Sequence, residues 1–304
     1  MEQATPFVWN PILRQHLVNA PRRMNRREGT TECPFCADIT NGKVAPDTHV
    51  WLHPNDFPPV LPPTGEAYVV IYSQDHHRNF TQLSVDELYE VTRLWRDLYR
   101  DLAARYAAVM IFENSGEAIG QTQHHPHGQA YGVSVLPPVL ERELETVVQD
   151  DEAGRGCPFC RVQAELSEQH FEVSANDTWQ AFLPPYVRYP YETHLYPRRH
   201  LANLAEMRDD ELRDMAALLL DVIRGYNELY DGAMAPMPYM MGIHQLADER
   251  FHLHIEILAV GRAPGKLKFA ASSESLWGLW LNDSVPLDKA AELRVAIEKG
   301  KQHE

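Results

Sequence analysis

Hydrophobic positions recur at helical spacing in two long segments of the chain. Leu88, Val91, Trp95, Leu98 and Leu102 follow one another at intervals of three or four, and Ser84 with Glu87 makes a capping box ahead of them. Leu212, Met215, Leu219, Val222 and Tyr226 repeat the spacing farther on. A last helix is predicted over residues 287–299, stopping before Gly300. Shorter runs rich in β-branched and aromatic residues predict strands at 67–72, 109–113, 128–135 and 252–260, the last alternating histidine with aliphatic positions. This pattern predicts an α+β fold, with antiparallel sheets covered by helices.

The two groups of elements are one group used twice. An offset of 124 lays Cys33 on Cys157, Cys36 on Cys160, Tyr72 on Tyr196 and His76 on His200. At an offset of 127, His125 and His127 fall on His252 and His254. A unit this long exceeds a solenoid repeat and reads as a domain. Two tandem domains are expected, 1–150 and 151–304, joined through the charged, glycine-containing stretch 149–156.

The 304 residues can bury a sizeable core, and the formal charge of −15 argues against general binding to nucleic acid or to an anionic membrane. An anionic substrate must therefore meet a local basic pocket. No leader pattern or bilayer-length apolar run is evident, which predicts a cytoplasmic protein. All four cysteines lie in two Cys-Pro-Phe-Cys motifs, which in a reducing compartment favours metal thiolates over disulfides. Histidines follow each pair at matching distances. Two tetrahedral zinc sets result: Cys33, Cys36, His76 and His125, then Cys157, Cys160, His200 and His252. Four protein ligands leave no place for a catalytic water, so both sets read as structural.

Between Glu113 and Gln129 the sequence Asn114-Ser115-Gly116 leads through Gly120 to His125-Pro126-His127-Gly128-Gln129. In an extended chain His125, His127 and Gln129 share a face. With His125 bound to zinc, His127 remains as a neutral imidazole able to attack phosphorus. Gly116 and Gly120 let backbone amides approach phosphate oxygens. Gln129 can donate a hydrogen bond to a phosphoryl oxygen but cannot shuttle protons. That favours transfer between phosphates, which needs little proton movement, over hydrolysis.

With these motifs the chain resembles the galactose-1-phosphate uridylyltransferases, a branch of the histidine triad superfamily, over almost its whole length. The resemblance rests on residues 114–129, Asn10-Pro11, Arg23 and Arg26, Pro54-Asn55-Asp56-Phe57 and Lys268-Phe269. It implies two histidine-triad-like domains and a ping-pong reaction. His127 would take uridylyl from UDP-glucose, release glucose 1-phosphate and pass the group to galactose 1-phosphate or a related hexose 1-phosphate. Asn55 and Asp56 would hold the uridine ribose, while Arg23, Arg26, Asn114 and Thr122 would face phosphates or nucleotide. The resemblance further implies a homodimer with shared active sites, Lys268 and Phe269 coming from the neighbouring subunit.

Some family members bind a second metal, with iron an option there, at positions like Glu143 and His244 together with the two C-terminal histidines. His252 is assigned to the cysteine set because that set mirrors the first copy. After Ser273-Glu274, Trp277 and Trp280 replace the small residues of many bacterial relatives, either reshaping the sugar pocket or packing at an interface. The second copy lacks an Asn-x-Gly segment before His252 and has Glu256 where Gln129 stands, so its role is read as structural. Two other readings compete. One is a nucleoside-diphosphate-sugar phosphorylase of the ADP-glucose type using orthophosphate, which the second cysteine pair favours. The other is a non-catalytic zinc-binding module, which leaves the order Asn114, Gly120, His127, Gln129 unexplained.

Overall fold

The computed structural model describes residues 7–25 and 33–302. The chain opens with an antiparallel hairpin, β1 (Phe7–Asn10) and β2 (Gln15–Val18), then a short helix α1 (Pro34–Thr40) that starts at the first cysteine motif. Strands β3 (Trp51–Pro54) and β4 (Gly65–Ile71) precede α2 (Val85–Ala103), and β5 (Ala108–Ser115) and β6 (His127–Val133) follow it. Helix α3 (Pro138–Glu152) leads to α4 (Pro158–Glu168), which starts at the second cysteine motif.

The second copy continues with β7 (Glu172–Ala175), β8 (Trp179–Phe182) and β9 (Thr193–Pro197), then α5 (Asp209–Glu228), β10 (Tyr239–His244) and β11 (His254–Ala259). A small ribbon, β12 (Gly261–Ala263) and β13 (Lys266–Leu267), is followed by α6 (Ser272–Trp277) and α7 (Pro286–Lys301).

Both long helices form where the apolar spacing predicts them. The Ser84–Glu87 capping box starts α2, and Leu88, Val91, Trp95, Leu98 and Leu102 turn inward. Beneath them lies one nine-stranded sheet in the order β3-β4-β6-β5-β10-β11-β9-β8-β7. The two copies are therefore fused edge to edge through antiparallel pairing of β5 with β10, from Ser115 opposite Tyr239 to Ile111 opposite Ile243. One core of aromatic and aliphatic side chains runs under α2 and α5 on one face of this sheet. On the other face α3 lays Leu140 and Leu144 against Phe112 and Tyr131.

Two expectations change. Gly300 does not stop the last helix, which continues to Lys301, and the glycine is buried where α7 crosses α5. A Cβ there would come within 3.3 Å of the Gly225 backbone nitrogen, so the residue serves close approach rather than capping. The first half of the stretch 149–156 is helical, because α3 runs to Glu152, and only the residues from 153 on connect the copies. Among the described residues no helix is long and apolar enough to cross a membrane.

Candidate active site

Cys33 caps α1, and the proline after it fits the first helical turn, so the helix start turns both sulfurs to one side. Cys36 Sγ lies 3.4 Å from His76 Nδ1 and 3.6 Å from His125 Nδ1, while Cys33 Sγ lies 3.7 Å from His125 Nδ1. In the second copy Cys160 Sγ is 3.6 Å from His200 Nδ1 and 3.4 Å from His252 Nδ1, and Cys157 Sγ is 3.7 Å from the latter. Tetrahedral zinc with sulfur and nitrogen ligands spaces them about 3.5 Å apart. Both sets fit a metal of that geometry. The outer ring nitrogens support the fit: His125 Nε2 donates to the Ser73 carbonyl at 2.6 Å, and His200 Nε2 to that of Glu249 at 2.9 Å.

His127 opens β6, and Gln129 follows on the same face. His125 precedes the strand, its buried ring turned into the cysteine set. The backbone carbonyl of His125 accepts a hydrogen bond from His127 Nδ1 at 2.8 Å. That bond fixes the tautomer and places the lone pair on Nε2. Phe35, between the two cysteines, has its ring centroid 5.6 Å from that of His125 and 5.4 Å from that of His127. The metal set and the candidate nucleophile are thus joined by one backbone carbonyl and one aromatic ring.

Gln129 Oε1 accepts from the Tyr131 hydroxyl at 2.6 Å, which leaves the amide nitrogen as the donor end. Arg23 reaches the same hydroxyl at 3.4 Å, so a predicted phosphate residue and Gln129 share one partner. Arg26 lies outside the described residues. Phe112 pairs with Gln129, and continuing that register sets Asn114 across from His127. The strand expected over 109–113 extends through Asn114 to Ser115.

Gly128 is explained by what lies behind it: a Cβ there would sit 2.0 Å from the Tyr72 hydroxyl. That hydroxyl belongs to a buried group with Glu113 and Tyr239, whose hydroxyl donates to Glu113 at 2.7 Å. Burial pushes the Glu113 carboxyl up to about 7, against the opposing effect of the hydrogen bond from Tyr239 and of the nearby Tyr72 hydroxyl.

The glycine loop departs from expectation. Gly116 and Gly120 both have positive φ, yet Gly116 N–H donates to Gln121 Oε1 at 2.6 Å and Gly120 N–H to the Glu117 carbonyl at 3.0 Å. Both amides close the turn rather than face a phosphate. Thr122 sits half-buried between this turn and His125. The loop, with His127, Arg78 and Pro238, lines a cleft of about 430 Å³.

Asn55 Oδ1 accepts from Phe57 N–H at 3.0 Å, an Asx turn that leaves the Asp56 side chain exposed. Lys268 is buried within its own chain, donating to the Leu281 carbonyl beside the Tyr189 ring, while Phe269 is exposed.

The second copy rebuilds the same place with different residues. His254 Nδ1 donates to the His252 carbonyl at 3.0 Å, as His127 does to that of His125, and Phe159 replaces Phe35 against it. The rest is charged. His244 Nδ1 lies 3.0 Å from both oxygens of Glu143 on α3, and His254 Nε2 is 3.7 Å from one of them. Arg188 joins Glu192 at 2.8 Å and also contacts Glu256. Burial alone would raise the Glu143 carboxyl, but His244 and His254 hold it down to about 2.

Glu143, His244, His254 and Glu256 bring ligand atoms within 4.8 Å of one another and can hold a metal. Because this set takes His254, His252 stays with Cys157 and Cys160, and no histidine has to serve both. Tyr131, Phe35 and Arg188 were not singled out from sequence. The phenylalanines were visible there as the third residue of a repeated motif, and Tyr131 as the next same-face residue after Gln129.

Known proteins resemble this chain over most of its length. Residues 44–137 match the model of the galactose-1-phosphate uridyl transferase N-terminal domain, and residues 153–264 match that of its C-terminal domain. A galactose-1-phosphate uridylyltransferase from Thermotoga maritima is 29% identical over 314 residues, spanning 94% of this chain and 96% of that protein. One from Haemophilus influenzae is 30% identical over 274 residues, spanning 78% and 77%. A uridylyltransferase of known structure superimposes with a TM-score of 0.87 at 27% identity, covering 98% of this chain and 99% of that one.

Proposed function

Since this chain belongs to the galactose-1-phosphate uridylyltransferase family, we propose that it transfers uridylyl from UDP-glucose to galactose 1-phosphate or a related hexose 1-phosphate. In the first displacement His127 Nε2 attacks the α-phosphorus of UDP-glucose, a nitrogen–phosphorus bond forms and glucose 1-phosphate leaves with the bridging oxygen. In the second, a phosphate oxygen of galactose 1-phosphate attacks the same phosphorus and His127 leaves. The observation that carries this reading is the bond from His127 Nδ1 to the His125 carbonyl, which holds Nε2 ready without a general base. The amide donor of Gln129 suits a phosphoryl oxygen, and its inability to take a proton suits two phosphate leaving groups.

Arg23, Arg26, Asn114 and Thr122 are assigned to phosphates or nucleotide, with Gly120 shaping the loop beside them, and Asn55 and Asp56 to the ribose. Cys33, Cys36, His76 and His125 would hold zinc, as would Cys157, Cys160, His200 and His252. Zinc there supplies cross-linking of loops rather than a reactive ligand. The reading gives residues 1–150 the chemistry, and 151–304 a metal-stabilised scaffold and the contacts of a cytoplasmic homodimer. Exposed Phe269, Leu276, Trp277 and Trp280 support a subunit contact near Lys268. The phosphorylase and binding-module readings are not favoured by the relatives.

The test is the intact mass under mildly alkaline conditions, where a phosphoramidate survives, after mixing the metal-replete protein with UDP-glucose. A uridylyl adduct discharged by galactose 1-phosphate is expected. An adenylyl adduct formed from ADP-glucose and discharged by orthophosphate would replace this function with a phosphorylase.

A further inference from the structure

His53 occupies a position that the reaction as described does not use. It is the third residue of β3 and is buried. Its Nδ1 lies 2.5 Å from Asp38 Oδ2, and Lys43 holds the other oxygen of Asp38 at 3.0 Å. Its Nε2 is shielded from solvent, has no hydrogen-bond partner and faces Asp56 Oδ2 at 3.6 Å. The ring thus lies between two carboxylates, Asp38 against Nδ1 and Asp56 facing Nε2.

The surroundings leave one moving part. The Asx turn at Asn55 and the bond from Asn55 N–H to the Ala67 carbonyl at 3.3 Å fix the backbone that carries Asp56. Only the exposed Asp56 side chain is loosely held. Phe35 has its ring centroid 5.2 Å from that of His53 and 5.4 Å from that of His127, so the Asp56 end and the nucleophile lie on either side of one ring.

We propose that His53 is a positioning residue for ribose recognition: anchored by Asp38, it draws Asp56 Oδ2 onto Nε2 and leaves Oδ1 to accept from the vicinal hydroxyls of the nucleotide. The proposal rests on the assignment of Asp56 to the ribose. The gap of 3.6 Å closes when the nucleotide excludes water from the site. An unheld carboxylate would sample several rotamers and lose part of its preference for ribose over 2′-deoxyribose.

The experiment compares steady-state kinetics with UDP-glucose and with 2′-deoxy-UDP-glucose for the full-length protein and for H53F, H53Q and D56A, with metal content and melting temperature measured on each. H53F is expected to raise KM for UDP-glucose about tenfold, the size of one charge-assisted hydrogen bond, with kcat within about twofold. The preference for ribose should narrow by a similar factor. H53Q, which keeps a side-chain N–H, should recover part of both. D56A should remove the preference.

An H53F protein with normal KM and normal ribose preference, beside a D56A protein that has lost the preference, overturns the role of His53 and leaves that of Asp56 standing. A D56A protein that keeps the preference overturns both. If H53F does not fold, D38N loosens the same ring from behind, and an unchanged KM and preference in that variant is equally decisive.

Discussion

The two copies place a histidine in the same way and then diverge in everything around it. At the first site, His127 is half-buried, set across from Asn114 by continuation of the Phe112–Gln129 register and followed on its face by Gln129, so that its neighbours are two neutral amides. At the second, His254 is buried, His244 and Glu256 stand nearby, and α3 brings Glu143 over the top. Strand pairing, cysteine motif and aromatic wedge are common to both. The scaffold therefore fixes where a histidine ring sits, and the neighbours set the charge around it. Neutral donors leave room for an anion, whereas several carboxylates around the same ring exclude one.

The sharpest way to break this comparison is to remove each histidine in turn. H127G is expected to lower turnover by about 10⁴-fold or more and to abolish the mass adduct while both metals remain bound. H254N should reduce thermal stability yet leave adduct formation on His127 intact. An adduct that survives H127G would show that the nucleophile lies elsewhere.

The metal sets provide the next test, since each should stabilise its own copy by up to about 10 kcal/mol. Metal analysis should find one equivalent lost in C33S/C36S and a different one in C157S/C160S. Only the first loss should also impair chemistry, because the His125 carbonyl orients His127. Equal losses of activity in both variants would contradict the division of labour.

Moving the second site's carboxylate into the first is a subtler exchange. Q129E should lower kcat by about 10²-fold through repulsion of the phosphoryl oxygens, with KM for UDP-glucose less affected. The isosteric change keeps the acceptor for Tyr131, so the melting temperature should stay near that of the parent. A Q129E enzyme with full kcat would remove the electrostatic distinction drawn above.

A last test concerns the buried carboxyl behind Gly128. Burial raises Glu113 from an ordinary 4.5 to about 7, so the folded protein holds a proton that the unfolded chain has lost. Stability should therefore fall as pH rises from about 4.5 to 7 and level off above, by on the order of 3 kcal/mol. Denaturant titrations of E113Q should lack this component of the slope.

Much of the fold was legible because its signals are local. The apolar spacing of α2 and α5, the capping box at Ser84 and the two cysteine motifs all depend on residues a turn or two apart. The metal sets were legible for another reason: a repeat shows its ligands twice, and coincidence in order restricts the assignment. The glycine amides were misread, because whether an N–H faces a ligand or closes a turn depends on Gln121 and Glu117, whose conformation no spacing reveals. Gly300 was misread as a stop because the sequence does not disclose that α7 crosses α5 at that point.

The chain alone discloses the duplicated α+β plan and the two Cys/His clusters, since each rests on residue types at fixed separations. What the tertiary structure decided is which residues share a surface. The pairing of β5 with β10 merges two copies into one sheet, and α3 carries Glu143 to His244. These neighbours are made by strand register and helix packing over long separations, which depend on the whole core forming at once rather than on any local pattern.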